Sequence, residues 1–487
     1  MKKIFLFVLP VCLLLGCLLL GACTKNISSN NAITKQPETV PPGPLFTYAE
    51  KNLCDALADC GAYNNIFRHI VEHWSQATNE DVAQYNFNLY EVCDNWWQHL
   101  YVNVLSNLHA SDSILSKDAV DLPAVVKNER AIIDILEVYT FNTLVNSFGN
   151  VPYSQALNYN NLTPVFDDAK TIQADLLKRL TNDISGLDPT NASFTATQDL
   201  FYKGAVSSWV ALANSLKIQI AMTLADVDNT TAQSVMEASN SAAFQSTATD
   251  AVWQYLAAPN NNPQYAALVT SGRTDYLACT TLMNYLTSMS DPRLPAFFGQ
   301  NTSGQYVGST IGLQVSSTGA YSKPGAIFYQ ATCPYVFMDD MAMEFFRAEA
   351  VERGYNIPGT AEQHYDSAIA MSIRYWGGTQ AQALAYLAQP SVAYSTAGGG
   401  AWTWRQKIGL QKWIALYGRG MDGYTELRRL DWPAMVPPVG AISGFPYRMT
   451  YPATTVSEQV LNPVNYAAAA AAIGGDKVST KLYWDIY

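Results

Sequence analysis

Apolar positions fall into two kinds of run along the chain. The first is unbroken: Ile4 to Leu20 is almost wholly hydrophobic behind Lys2 and Lys3. This is the layout of an export signal, too short and too N-terminal to be preferred as a membrane span. A polar stretch follows from Thr24 to Pro44, built of Asn, Ser, Thr, Lys and Pro, with almost nothing to bury. It reads as a disordered tether, and about 20 residues of such coil average roughly 25 Å end to end. The second kind of run repeats at three-and-four spacing, the signature of amphipathic helices. Phe46 to Leu108 predicts two or three helices around a loop at Ala77 to Leu89. Trp96, Trp97, Tyr101 and Leu105 share helical spacing, and adjacent tryptophans must point apart, so only one of the pair is assured of the core.

Val125 to Phe148, Thr171 to Ile184 and Trp209 to Leu224 predict one helix each. From Gly299 to Pro334 the periodicity stops in a Gly/Ser/Thr-rich section carrying Tyr306, Tyr321, Phe328 and Tyr329, too long for a simple connection. Helices resume at Met338. Thr360-Ala361-Glu362-Gln363 is a capping box, and Ala361, Tyr365 and Ala368 match the small–aromatic–small run of a tetratricopeptide helix. Between Trp404 and Pro433, Ile408, Gln411, Lys412, Ile414, Ala415 and Leu416 predict a helix ended by Gly418 and Gly420. A second helix then starts at Tyr424 with Leu427, Arg428 and Leu430, and stops before Pro433. The alanine run after Tyr466 is a further helix. The pattern as a whole predicts an all-α chain, a tetratricopeptide-like array of helical hairpins with irregular loop-rich insertions.

Composition narrows the partners. The 487 residues carry a formal net charge of -11, which disfavours nucleic acid. Only 14% of them are charged, leaving a surface suited to neutral polar ligands. Leu20-Gly21-Ala22-Cys23 has the form of a bacterial lipobox, so Cys23 is the expected lipid anchor; Cys17 is a weaker rival. The remaining cysteines, Cys54, Cys60, Cys93, Cys279 and Cys333, are odd in number and lack CxxC spacing. They read as mostly buried thiols, with a Cys54–Cys60 disulfide disfavoured by helical geometry.

Several of these segments together resemble the SusD/RagB outer-membrane lipoproteins. Trp404 to Pro433 is similar to that family's C-terminal signature, in which a QKWIAL-type helix, a glycine turn and a WxExRRxxxP-like run follow one another. Phe148, Gly149, Val151, Pro152, Tyr153, Ser154 and Ala156 resemble its FGDVPYSEA turn, and the helix from Trp209 resembles its ANSLKLRLAMR helix. Asp291 to Pro295 resembles its DPRLP turn, and the C-terminal tail its terminus. The resemblance implies a signal peptide at 1–22, a lipid-anchored tether at 23–44 and a helical domain at 45–487 with the insertion near 299–334. It also implies a binding protein without catalytic residues, cofactor or metal. That protein captures an oligosaccharide, or second a peptide, at the outer membrane and acts as lid of a SusC-like, TonB-dependent transporter. The family's exposed aromatic shelf makes Trp74, Tyr85, Phe87, Trp96, Tyr276, Tyr306, Tyr321 and Trp402 the candidate ligand-binding residues. No acidic residue follows Cys23 in TKNISSNN, so the leaflet facing stays open.

Two other readings are carried. One is a periplasm-facing, tetratricopeptide-like scaffold for peptides. The other is a zinc peptidase: His69-Ile70-Val71-Glu72-His73 is an HxxEH string that on one helix would put both imidazoles on one face, with Glu129 or Glu137 as third ligand. No βαβ context accompanies it. Asp167-Asp168 and Asp339-Asp340 sit at predicted helix starts, where carboxylates complement the helix dipole without being catalytic.

Overall fold

The computed structural model of the protein describes residues 40–487, apart from 62, 79, 118–121 and 455–456. The predicted signal, the Cys23 anchor and nearly all of the tether lie outside the described residues. The first helix, α1 (Pro42–Ala58), begins inside the predicted tether. Proline suits a first helical turn, where an N–H would be unpaired anyway. Phe46, Ala49, Leu53 and Leu57 then bury one face.

The segment after α1 departs from the predicted helix–loop–helix. A single turn at Phe67–Ile70 leads into strand β1 (Trp74–Gln76). This strand pairs antiparallel with β2 (Tyr276–Ala278), Gln76 opposite Tyr276. Three residues are too few to show a period of two, which is why the strand was not legible. Helical structure resumes at Val92–Gln98, widens into π-turns over His99–Leu105 and continues as α2 (Ser106–Leu115). Trp96 and Trp97 do point apart, yet both are covered. Trp96 packs on Phe67, and Trp97 packs on Phe148 and Tyr101.

The helical array follows. Helices α3 (Pro123–Phe148), α4 (Ala169–Gly186), α5 (Val206–Thr223) and α6 (Asn229–Ser239) pack each on the next. Gly149, at φ 86°, ends α3 as the predicted terminator. Helices α7 (Asp340–Glu352), α8 (Ala361–Tyr375) and α9 (Gln380–Leu387) continue the array. The Thr360–Gln363 capping box is formed, and Tyr365 and Ala368 face the core. The all-α, tetratricopeptide-like prediction therefore holds, with three two-stranded ribbons among the described residues as its irregular parts.

The C-terminal hairpin consists of α10 (Trp404–Ala415) and α11 (Gly420–Leu430), followed later by the alanine helix α12 (Pro463–Ala472). Helix α11 starts four residues before the predicted Tyr424. The cause is packing: a Cβ on Gly420 would stand 2.9 Å from the Arg68 backbone nitrogen, so this glycine lets the helix begin against the Phe67–Ile70 turn. Between α7, α10 and α11 lies a sealed ion cluster. Arg429 grips Glu349 through both terminal nitrogens at 2.6 Å and reaches Glu426 at 2.6 Å, while Lys412 sits 2.9 Å from Glu426. All four side chains are buried.

Candidate functional site

Where α8 ends, the chain turns at Trp376 and Gly377 (φ 86°) and leaves two aromatic side chains at the rim of a cleft of about 220 Å³. These are Tyr375, the last residue of α8, and Trp376, the residue that follows it. Tyr375 is 54% exposed, and Trp376 is half-buried. The Trp376 ring is braced by Phe297 (centroids 4.9 Å), Tyr417 (5.6 Å) and Phe328 (6.0 Å), all edge-on or tilted. Such bracing fixes a flat apolar surface at low entropic cost, which is what a sugar ring or another planar group stacks on.

The floor is polar. Strand β3 (Ala251–Trp253) pairs with β4 (Tyr335–Met338), which brings Asp250 and Asp339 to the same end of the ribbon. Asp250 accepts the Asp340 backbone N–H at 2.7 Å, and Asp339 caps α7 by accepting the Ala342 N–H at 3.1 Å. Arg419, in the turn of the C-terminal hairpin, donates to Asp339 at 2.7 Å and to Asp422 at 2.9 Å. Thr247 and Gln264 complete the polar lining, with Phe328, Met341 and Met371 as its apolar part. Gln264 is 2% exposed, and its Oε1 has no hydrogen-bond partner.

Electrostatics distinguish the acids. Burial, with Asp339 close by, pushes Asp250 up to about 7. Burial alone would lower Arg419, but Asp339 and Asp422 outweigh it and hold the guanidinium charged. Cys333 lines the cleft as an inert thiol, pushed up to about 11 by burial. The floor is thus net acidic, with one arginine already engaged by two carboxylates.

Five of the predicted ligand residues are corrected by this structure: Trp74, Tyr85, Phe87, Trp96 and Tyr276 are each at most 3% exposed. All five side chains are core: the strand pairing of Trp74–Gln76 with Tyr276–Ala278 turns Trp74 and Tyr276 inward, and Trp96 packs on Phe67 from its own helix. Trp74 keeps an indirect role: its Nε1–H donates to the Tyr417 hydroxyl at 2.8 Å, and Tyr417 in turn donates to the Phe297 carbonyl, so it lies directly behind the cleft wall. Trp96 donates to Ser147 inside the core. Tyr306 and Tyr321 are half-buried on the insertion and do not line this cleft. The insertion contributes Ile327, Phe328, Cys333 and Pro334 instead. Trp402 is half-buried against Trp432 and lines a separate shallow groove with Tyr285 and Gly398 to Gly400. The sequence reading missed Tyr375 and Trp376, whose one signal was an aromatic pair directly before Gly377-Gly378 at the end of a capped helix.

The HxxEH string does not form a metal site. The helical turn stops at Ile70 and Glu72 takes φ 54°, so His69 and His73 do not share a helical face. His69 Nδ1 bonds the Trp74 carbonyl and His73 Nε2 the Trp413 carbonyl, and burial lowers the two imidazoles to about 4 and about 3. Glu137 is held by Arg179 at 2.7 Å. The five cysteines from Cys54 onward are free and buried, so Cys54 and Cys60 are not bridged. Asp168 and Asp339 both cap helices, as their positions suggested.

An array of helical hairpins with irregular loop-rich insertions places the chain in the tetratricopeptide-like class of repeat proteins. The model of the SusD-like family, described as starch-binding and associating with the outer membrane, matches residues 34–452, and the chain belongs to that family. Among similar solved structures, a chitin-binding protein is 22% identical, covers 92% of this chain and 100% of its own, and superposes with a TM-score of 0.77. A SusD homologue from Bacteroides uniformis is 23% identical over 91% of this chain and 99% of its own, with a TM-score of 0.77. A chitin-binding SusD homologue from Flavobacterium johnsoniae is 21% identical over 91% and 98%, with a TM-score of 0.76. At these identities they show the shared fold. No curated protein matches the chain. No helix among the described residues is long and apolar enough to cross a membrane.

Proposed function

We propose that this protein is a non-enzymatic, lipid-anchored outer-membrane receptor that holds an oligosaccharide on the Tyr375–Trp376 ledge. In this reading it closes as a lid over a SusC-like, TonB-dependent transporter. The observation that carries the ligand part is the braced, half-exposed Trp376 above Asp250, Gln264 and Thr247: an apolar face for a sugar ring beside acceptors for its hydroxyls. The chitin-binding names of two structural neighbours support glycan over peptide. The Ile4 to Leu20 run ending at Cys23 supports the anchor. The family description supports association with the outer membrane.

Two experiments test the reading. An array of neutral and amino-sugar oligosaccharides against the ectodomain is expected to give a ligand whose affinity falls at least tenfold, about 1.4 kcal/mol, in Trp376→Ala. Gentle detergent extraction is expected to bring down a barrel partner, and its absence, or protection of the protein from protease added to intact cells, would count against the lid.

A further inference from the structure

Two acceptors in the cleft lining are left short of partners. Arg419 spends its guanidinium on Asp339 and Asp422, through Nη1 to the first and Nε and Nη2 to the second. Asp250 uses one oxygen on the Asp340 N–H, and among the described residues no lysine or arginine forms an ion pair with it. Gln264 Oε1, almost fully buried, has no partner at all. A half-buried carboxylate without a counter-ion is unfavourable, and so is an orphaned carbonyl oxygen. Both deficits are relieved by one kind of group: a cation with several N–H donors. An acidic sugar would meet Asp250 and Asp339 beside an Arg419 already paired, and a neutral hydroxyl supplies one donor and no charge.

We propose, resting on the reading of the cleft as a glycan site, that the sugar seated against Asp250 and Gln264 carries a free amine. The cleft then takes amino-sugar glycans with at least one unacetylated, cationic residue. The ammonium supplies the missing counter-ion to Asp250 and donates to Gln264 while the ring stacks on Trp376. Charged and titratable neighbours of Asp250 come from four other places in the fold. Asp339 and Asp340 stand at the start of α7, Arg419 in the hairpin turn, Tyr375 at the end of α8, and Tyr202 before α5. None but Arg419 is cationic, and Arg419 is engaged elsewhere. Because burial and Asp339 push Asp250 up to about 7 in the empty cleft, acid neutralises it and removes the attraction.

The test is calorimetric titration of the ectodomain with three hexamers of the same length, made of glucosamine, N-acetylglucosamine and glucose. At pH 7 the glucosamine hexamer is expected to bind at least tenfold more tightly than either of the others. That advantage is expected to shrink about tenfold at pH 5 in the wild-type protein and to disappear in Asp250→Asn. Equal, Trp376-dependent binding of all three would overturn the amine while leaving the glycan site in place. Binding of none, with Trp376→Ala silent, would overturn both. A lysine-containing peptide that outbinds the glucosamine hexamer would replace the sugar with a peptide.

Discussion

Two groups of charges lie within the same helical scaffold and behave in opposite ways. In the sealed cluster between α7, α10 and α11, Arg429, Lys412, Glu349 and Glu426 are ion-paired with one another at 2.6 to 2.9 Å, and Lys412 also lies 3.3 Å from the centre of the Phe346 ring. At the cleft, one hairpin turn away, Asp250 and Gln264 are left short of partners. The first arrangement holds helices in register. The second leaves a half-buried carboxylate without a counter-ion in the lining of a cleft, a local cost of the kind that functional sites carry. What separates them is not residue type but pairing: in one place every charge has an opposite charge within 2.9 Å, in the other, among the described residues, no lysine or arginine pairs with Asp250.

Breaking the sealed cluster should have the largest effect. Glu349→Ala leaves Arg429 and Arg353 facing an empty carboxylate position in the core, and denaturant unfolding should show a loss of about 3–5 kcal/mol. Any glycan affinity measured on the surviving folded fraction should be unchanged, since the cluster does not line the cleft. The cleft should answer differently. Trp376→Ala should lower affinity at least tenfold while moving the unfolding free energy by under about 1 kcal/mol, as the ring is half-exposed.

The smallest effect sharpens the contrast most. Asp250→Asn keeps an acceptor for the Asp340 N–H and removes a charge that burial disfavours, so it should stabilise the protein by about 1 kcal/mol at pH 8. The sign follows from its raised value. With the folded group near 7 and the usual value 3.8, the native state binds the extra proton between those limits. Wild-type stability therefore gains from Asp250 as pH falls through 7, and the stabilising effect of Asp250→Asn should fade by pH 5.

Core groups run the other way. His69 and His73, lowered from 6.5 to about 4 and about 3, stay neutral while the unfolded chain protonates, so stability drains away as pH falls from 6.5 towards 3. Glu349, lowered from 4.5 to about 2 against burial by Arg429 and Arg353, loses its contribution as pH falls from 4.5 towards 2. A melting series in His73→Gln should show a shallower acid decline between pH 6.5 and 4 than the wild type.

Much of the scaffold was legible from spacing alone, because long amphipathic runs such as Thr171 to Ile184, the Thr360 capping box and the Gly149 terminator are local features. The wording of Trp404 to Pro433 resembled the family's, yet most of its aromatics and arginines proved to be core, with Tyr417 and Arg419 reaching the cleft. The site was less legible. Aromatic residues in polar surroundings looked like ledge candidates, but whether Trp74 or Tyr276 faces water depends on a three-residue strand pairing across 200 positions of sequence, which no local period encodes. Trp376 was passed over because it is in helical phase with the buried Ile369, Ser372 and Ile373 of α8, so local spacing does not separate it from the core. The HxxEH string misled in the same manner: it assumed one helix where the chain turns at Glu72.

The most direct test is a crystal structure of the ectodomain grown with the tightest oligosaccharide from the array. Density for a sugar ring stacked on Trp376, with a polar substituent within 3.2 Å of Asp250 or Gln264, is the predicted result. A ring seated instead on Trp402 or Tyr285, with the Trp376 cleft empty, would contradict the account.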